Sequence, residues 1–197
     1  DPDGVKEASV RYRVLKPGSE SGEEAAESSL VLRRVSGDEK NGRYEAALPG
    51  QPADRLVRFH IQAVDGAGAT RSYPAANEPR PTVSFYTLAS TNEARIPFAL
   101  TMQTGRPERS GVAFQGGGFF ARRAPVTGAG TPSLGNGAFI YLPPGGGEAL
   151  LFDHVRLTPR NGGFKVRFLK DRPLKGMSTV NIIFEDSPRF VLAEPLS

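Results

Sequence analysis

The sequence contains no cysteine, and its only two histidines, His60 and His154, lie far apart along the chain. The absence of cysteine excludes thiol catalysis, disulfide bonds and cysteine-based zinc sites. Because the two histidines are so distant, a histidine-rich metal site or a Ser-His-Asp triad is not expected either. One histidine could still act together with carboxylates.

Long apolar runs are missing as well. No stretch approaches the roughly 18–20 apolar residues that a membrane-spanning helix needs, so we expect no membrane span. The first residues, DPDGVKEASV, lack the charged start and apolar core of a signal peptide. They are typical of a turn inside a longer protein, and we expect the chain to be the front part of a larger polypeptide.

Turn-forming residues, in contrast, are abundant. The 197 residues include 23 glycines and 17 prolines, and only 38% are hydrophobic, which favours short strands and long loops over helices. Residues 1–88 carry 12 basic and 13 acidic side chains, net −1, whereas residues 89–197 carry 13 and 8, net +5. We therefore expect two domains, 1–88 and 89–197, with different electrostatic roles.

Residues 1–88 are predicted to form one antiparallel β-sandwich. Apolar and polar residues alternate in several segments, most clearly over residues 57–63, and this is the period of a strand with one buried face. Asn41-Gly42 and the segment 65–68 are typical of the turns between such strands. The residues predicted to share the core are Val10, Tyr12, Val57, Phe59, Ile61 and Phe85.

Two motifs within this part of the chain carry a resemblance. The first consists of Gly42, Tyr44, Ala46, Leu48 and Pro49; the second consists of Val57, Phe59, Ile61, Ala63, Asp65 and Gly68. They are similar to the paired strand motifs of Ig-like modules in bacterial secreted proteins. The likeness covers about half of residues 1–88 and implies an immunoglobulin- or fibronectin-like sandwich.

The second part of the chain concentrates positive charge. Within 20 residues there is one acid, Asp171, and seven cations: Arg156, Arg160, Lys165, Arg167, Lys170, Arg172 and Lys175. Residues 164–168 alternate, so we expect Lys165 and Arg167 on one face of a strand and its apolar residues on the other. Two interpretations stay open: a strand with solvated cations, or a strand that holds Lys165 over nucleotide phosphates with Arg160 nearby. Nucleic acid is not an expected partner, because no helix or RNA-binding motif organises the charge.

Several short motifs permit a structural and a functional interpretation. The Gly-rich segments 115–120 and 143–147 lack the following helix that a phosphate-binding loop needs, so hairpin connections are predicted. Asp153-His154 suggests a catalytic or metal site, but without a third ligand we expect a hydrogen-bonded pair in a loop. Glu185-Asp186 is explained as a solvated strand end.

The segment 136–197 carries a second resemblance. Its motifs are AFIY at 138–141, LFDHVR at 151–156, GFKVRF at 163–168, and LKGM followed by VNIIF at 174–184. These resemble the opening of the CotH family, spore-coat-type atypical protein kinases found in secreted and surface proteins of bacteria. The likeness implies a turn at 160–162, a strand lysine at Lys165 and a strand asparagine at Asn181.

This resemblance implies a mainly β protein in which the Ig-like sandwich precedes a β-rich domain similar to a kinase N-terminal lobe. In the full-length protein the implied cofactor is ATP with Mg²⁺ or Mn²⁺, and the implied nucleotide contacts are Lys165, Arg160 and Arg167. Gly162-Gly163 replace a basic pair of the family, and the carboxylates that hold metal and act as base have no counterpart here. We therefore expect this fragment to be non-catalytic and to hold no cofactor of its own.

The resemblance also implies an extracellular or bacterial cell-surface location. The expected partners are the remainder of the same polypeptide and a protein substrate. The alternative hypothesis is an extracellular β-sandwich module that binds carbohydrate or protein.

Overall fold

The structure, a computed structural model, describes residues 3–16, 26–104, 135–160 and 163–183. These residues form antiparallel β-sheets and no helix, which confirms the predicted mainly β fold. The strands are β1 (Val5–Leu15), β2 (Ser28–Val31), β3 (Arg33–Gly37), β4 (Gly42–Glu45), β5 (Arg55–Asp65), β6 (Thr70–Tyr73), β7 (Val83–Thr87), β8 (Phe98–Gln103), β9 (Gly137–Leu142), β10 (Leu150–Arg160), β11 (Gly163–Arg167) and β12 (Thr179–Ile183). Within the described ranges, a helix able to cross a membrane is not found.

The first sheet is built around the long strands β1 and β5. Its strand order is β2-β1-β5-β6, and β7 also pairs with β5. Val10 lies opposite Ile61, and Tyr12 lies opposite Phe59. Directly opposite residues of an antiparallel pair point to the same face, so the predicted apolar residues do share one side of this sheet.

Only some of the side chains on this apolar side of the first sheet are buried. Val10 and Val57 are buried, but Ile61 and Phe85 are each 37% exposed, so their prediction as core residues is wrong. The separate two-stranded sheet β3–β4 lies next to the apolar face of the first sheet. Residues of the two sheets together line an apolar groove of about 750 Å³. Two short strands are too small a layer to cover a five-stranded sheet, and the remaining apolar side chains stay accessible.

The second sheet is a simple meander of order β12-β11-β10-β9-β8, in which every strand pairs with its neighbour along the chain. One face carries an aromatic core in which the ring centroids of Phe139, Phe152 and Phe168 lie 5.1–6.2 Å apart. Val166 of β11 is fully buried in this core. The predicted alternation of β11 is confirmed, because Arg167 on the opposite face is exposed.

The other side of the first sheet packs against the second sheet. Leu15 and Leu56 form a buried cluster with Met102 of β8 and Ala138 of β9. The connecting segment is held by Asn92, whose amide Nδ2 donates to the carbonyl oxygens of Ile96, Leu142 and Pro143. The two sheets therefore share a core, although they are built from residues on either side of position 89.

Candidate functional site

The predicted nucleotide-binding cations lie on β10 and β11. In the antiparallel register of these strands, Arg156 lies opposite Arg167, Thr158 opposite Lys165, and Arg160 opposite Gly163. Strand alternation therefore places Arg156, Arg160, Lys165 and Arg167 on one face, opposite the aromatic core. We call the surface formed by these four residues the basic face.

The basic face is largely open to solvent. Its three arginines are exposed and Lys165 is half-buried. Asp153, an acid on the same side of β10, is buried and paired with Arg58. The strand residues beside these cations include Thr158, Gly163 and Asn181, and Asn181 lies directly opposite Lys165. Arg156 and Arg167 lie directly opposite each other, so this face concentrates positive charge and attracts anions.

Asp153 and His154 lie inside β10, so their predicted position in a loop is wrong. The register between β10 and β9 shifts between Phe152 and Val155, which marks a β-bulge. At this bulge His154 adopts a φ of 56°, a left-handed conformation that is unusual for a residue other than glycine. The bulge lets Phe152 and Val155 join the aromatic core while Asp153 meets the first sheet.

The Asp153 carboxylate is buried and accepts hydrogen bonds from both sheets. Arg58 donates through Nε, at 2.8 Å, and through Nη2, and the Ser84 hydroxyl also donates to it. Burial would raise the pKa of Asp153, but the hydrogen bonds and charge of Arg58, helped by His154 and Ser84, lower it below 3.8. Asp153 is therefore a charged, fully paired link between the sheets.

His154 is buried beside this pair. Its Nε2 lies 2.9 Å from Thr82 Oγ1 and 3.6 Å from the Asp153 carboxylate. Burial lowers the pKa of His154; the nearby Asp153 opposes this shift, and Arg58 and Arg80 add to it. The imidazole is accordingly neutral at pH 7.

These contacts do not form a catalytic triad. Ser84 donates its hydroxyl proton to Asp153, so it is not paired with His154 as a nucleophile would be with its base. Both side chains are hydrogen-bonded, as expected, but their side-chain partners lie outside β10: Arg58 and Ser84 for Asp153, and Thr82 for His154. In the part of the chain that the structure describes, no group of three histidine, aspartate or glutamate side chains could hold a metal ion.

The roles of Arg58, Ser84 and Thr82 were not predicted from the sequence. Arg58 is 95 residues from Asp153, and the alternation of β5 predicted only that it faces away from Val57. A buried ion pair between residues far apart in the chain leaves no pattern in the local sequence. The one available signal was Asp153-His154, two polar residues that interrupt an apolar run.

A cavity of about 320 Å³ adjoins this cluster, where the chain around β7 meets the bulge of β10. Its lining includes Tyr73, Arg80, Thr82, Phe152, His154 and Arg172. It is separate from the basic face, because none of the four residues of that face lines it.

The other predicted motifs divide between described and undescribed parts of the chain. Residues 143–147 connect β9 and β10, and the amides of Gly145 and Gly146 donate to the carbonyl oxygens of Ala94 and Asn92. These amides are therefore already used within the fold. The segment 115–120, Asn161-Gly162 and Glu185-Asp186 lie outside the described residues.

Comparison with known proteins adds no relative to this description. No family model matches the chain, and neither a curated protein nor a solved structure matches it. Function must therefore be argued from the residues and their arrangement.

Proposed function

We propose that this chain is the non-catalytic N-terminal part of a CotH-like protein. Residues 1–88 would be its Ig-like module, and residues 89–197 would begin a domain similar to a kinase N-terminal lobe. The observation that supports the proposal is the basic face, where Lys165, Arg160 and Arg167 share one side of an antiparallel sheet. The proposed role of that face is to hold the phosphates of a nucleotide.

The arrangement of β11 suits this role. Its buried residue Val166 is anchored in the aromatic core, so the backbone that carries Lys165 and Arg167 is firmly placed. A lysine on a rigid strand is a typical phosphate contact in kinase-like folds, and arginines can add paired hydrogen bonds. Asn181, directly opposite Lys165, supplies a further polar group.

The same face does not fit a metal ion. Its four residues are all cations, and the nearby carboxylate of β10, Asp153, is buried and paired with Arg58, whereas Mg²⁺ or Mn²⁺ at a nucleotide is held by carboxylate and phosphate oxygens. ATP with its metal is therefore proposed only for the full-length protein, where the remainder of the polypeptide would complete the site. We propose an extracellular or cell-surface location and a protein substrate for that complete form.

Nucleotide binding is tested with the variant Lys165→Ala. We expect wild-type protein to bind ATP weakly in calorimetry, with affinity that falls as salt is added because the contacts are exposed. Loss of one charge-assisted hydrogen bond should weaken binding by about tenfold. The matched control is Lys6→Ala, which removes an exposed lysine from β1. Equal affinity in Lys165→Ala and wild type would contradict the proposal.

Catalysis is tested separately with radiolabelled ATP and Mg²⁺ or Mn²⁺. We expect no phosphoryl transfer by residues 1–197, because none of the four residues of the basic face is a carboxylate that could hold a metal or act as a base. Labelling that increases with the concentration of this fragment, and is absent in Lys165→Ala, would show that the fragment is itself an enzyme.

A second candidate function is that of an extracellular binding module. The observation that favours it is the cavity between the two sheets, which is lined by both polar and aromatic side chains. The two functions use different residues, so variants of the basic face and of the cavity distinguish them.

A further inference from the structure

The cavity between the sheets has the size and position of a small-ligand site. Its volume of about 320 Å³ lies at the lower end of the roughly 300–1,000 Å³ typical of ligand pockets. One wall comes from the chain between β6 and β7, including Arg80 and Thr82, and the other comes from the bulge of β10 and the chain after β11. Ligand sites often occur at such junctions between packed units.

Two guanidinium groups line this cavity. Arg172 lies over the ring of Phe152, with its central carbon 5.3 Å from the ring centroid. Such stacking fixes the plane of the guanidinium while its N–H edges stay available to an anion. Arg80 pairs with Asp171 at 2.7 Å, but both side chains are about half exposed, so this pair is weak and can exchange its partner.

The charged groups of the lining offer an anion two guanidinium groups. Of its two acids, Asp153 is neutralised by the bidentate contact with Arg58, which leaves Glu78. Glu78 is opposed by Arg172 and by Arg80, and Arg80 also forms the exposed pair with Asp171, which lies outside the lining. An oxyanion that displaces Asp171 from Arg80 would contact both guanidinium groups.

The backbone at His154 is a second, independent observation. A buried histidine with a φ of 56° is strained, and such strain gathers at functional sites. The bulge that produces it turns the His154 ring to Thr82 in the cavity wall. Bulges commonly re-aim side chains in this way beside binding sites.

We propose that this interface cavity binds a small ligand of about monosaccharide size that carries an oxyanion, either a carboxylate or a phosphate monoester. Arg172 and Arg80 hold the oxyanion, and the hydrogen-bonded Thr82 and His154 contact the polar body of the ligand. The inference is independent of the proposed nucleotide contact, because it uses no residue of the basic face.

The test measures binding of three probes to the full chain by calorimetry, at one fixed ionic strength. The probes are glucose 6-phosphate, glucuronate and neutral glucose. We expect at least one anionic probe to bind at least tenfold more tightly than glucose, and the better of the two identifies phosphate or carboxylate as the recognised group. Ring signals of His154 in NMR spectra should shift on binding, because the imidazole lines the cavity.

Variants locate the binding. We expect Arg172→Gln to weaken binding of the anionic probe by about tenfold or more, and Arg172→Lys to retain part of the affinity. Arg80→Gln should weaken binding of the same probe as well. Arg172 is exposed and loses only its stacking contact with Phe152, so its replacement should lower the thermal unfolding midpoint only slightly. Arg80→Gln is an independent variant if the midpoint falls strongly. Lys165→Ala should change the affinity less than twofold.

Three outcomes would overturn the proposal. One is that neither anionic probe binds more tightly than glucose. Another is that Arg172→Gln and Arg80→Gln bind as well as wild type. The third is that binding disappears in Lys165→Ala, which would assign it to the basic face and leave the proposed nucleotide contact intact.

Discussion

At the scale of single residues, the contact between Arg58 and Asp153 decides how the two sheets meet. Both side chains are largely buried, with 13% and 6% of their surface exposed. Burying two charges is costly, and the cost is recovered only when hydrogen bonds satisfy both groups. Here Ser84 and the His154 backbone amide complete the carboxylate, and Thr104 Oγ1 accepts from Arg58 at 3.1 Å.

We expect Arg58→Ala to lower the free energy of unfolding by about 3–5 kcal/mol, because it leaves the Asp153 carboxylate buried without its cation. Arg43→Ala is the matched control, since Arg43 forms an exposed ion pair with Glu45 and should cost less than about 1 kcal/mol. Urea denaturation measures both. A similar, small effect of the two variants would mean that the buried pair contributes nothing beyond a surface contact.

The pKa values of His154 and Asp153 predict lower stability in acid. Burial lowers the pKa of His154 below 6.5, so the unfolded chain binds this proton more readily than the folded chain. The contribution of neutral His154 to the free energy of unfolding is complete above pH 6.5 and is lost as the pH falls through the pKa of His154 in the folded protein. The lowered pKa of Asp153, where Arg58 outweighs burial, adds a further loss below pH 3.8.

The variant His154→Asn tests whether His154 causes the loss of stability between about pH 7 and pH 5. Asparagine tolerates the left-handed backbone at this position and does not titrate. We expect the fall in unfolding free energy between about pH 7 and pH 5 to be smaller in this variant than in wild type. His60→Asn removes the other histidine and serves as the control. If His60→Asn flattened the curve and His154→Asn did not, the assignment would be wrong.

At the scale of strands, the alternation of apolar and polar residues predicted much of what is found. It placed Lys165 and Arg167 opposite Val166, and it grouped Val10, Tyr12, Val57, Phe59 and Ile61 on one side of the first sheet. It could not predict how deeply that side is buried, because burial depends on what packs across it. Here the opposing layer is the small β3–β4 hairpin, and the more enclosed contact lies on the other side, at Leu56 and Arg58.

The bulge in β10 could not be predicted from the local sequence pattern either. A strict period of two would place Phe152 and Val155 on opposite faces, yet both lie in the aromatic core. The bulge at Asp153-His154 reconciles them, and at this bulge Asp153 and His154 form hydrogen bonds with Arg58 and Thr82. Partners 72 and 95 residues away leave no trace in a short window of sequence.

The aromatic core of the second sheet predicts a clear contrast between two phenylalanines. Phe139 is 1% exposed and contacts the rings of both Phe152 and Phe168, whereas Phe98 on β8 is 50% exposed. We expect Phe139→Ala to cost about 3–5 kcal/mol in urea denaturation, and Phe98→Ala to cost less than about 1 kcal/mol. Comparable losses would mean that β8 is covered in solution.

At the scale of the whole molecule, the predicted division near residue 89 separates two sheets that are nonetheless joined. The cluster of Leu15, Leu56, Met102 and Ala138 is built from both sides of that position, and the Arg58–Asp153 pair lies beside it. Composition and charge show that the two parts differ, but they carry no information about contact between them. The candidate cavity exists only because the sheets are packed together, so it was not predictable from either part alone.

The shared core predicts that the two sheets unfold together. Leu56 belongs to the first sheet and is fully buried against the second, so Leu56→Ala should cost about 2–5 kcal/mol. If unfolding is cooperative, hydrogen exchange at the amides of Ala63 in β5 and Val166 in β11 should accelerate by the same factor in this variant. Val10→Ala is the control for a buried residue of the first sheet outside the shared cluster. Faster exchange at Ala63 with unchanged exchange at Val166 would show that the sheets are independent units, and that the buried ion pair and the cavity between them open without loss of the second sheet.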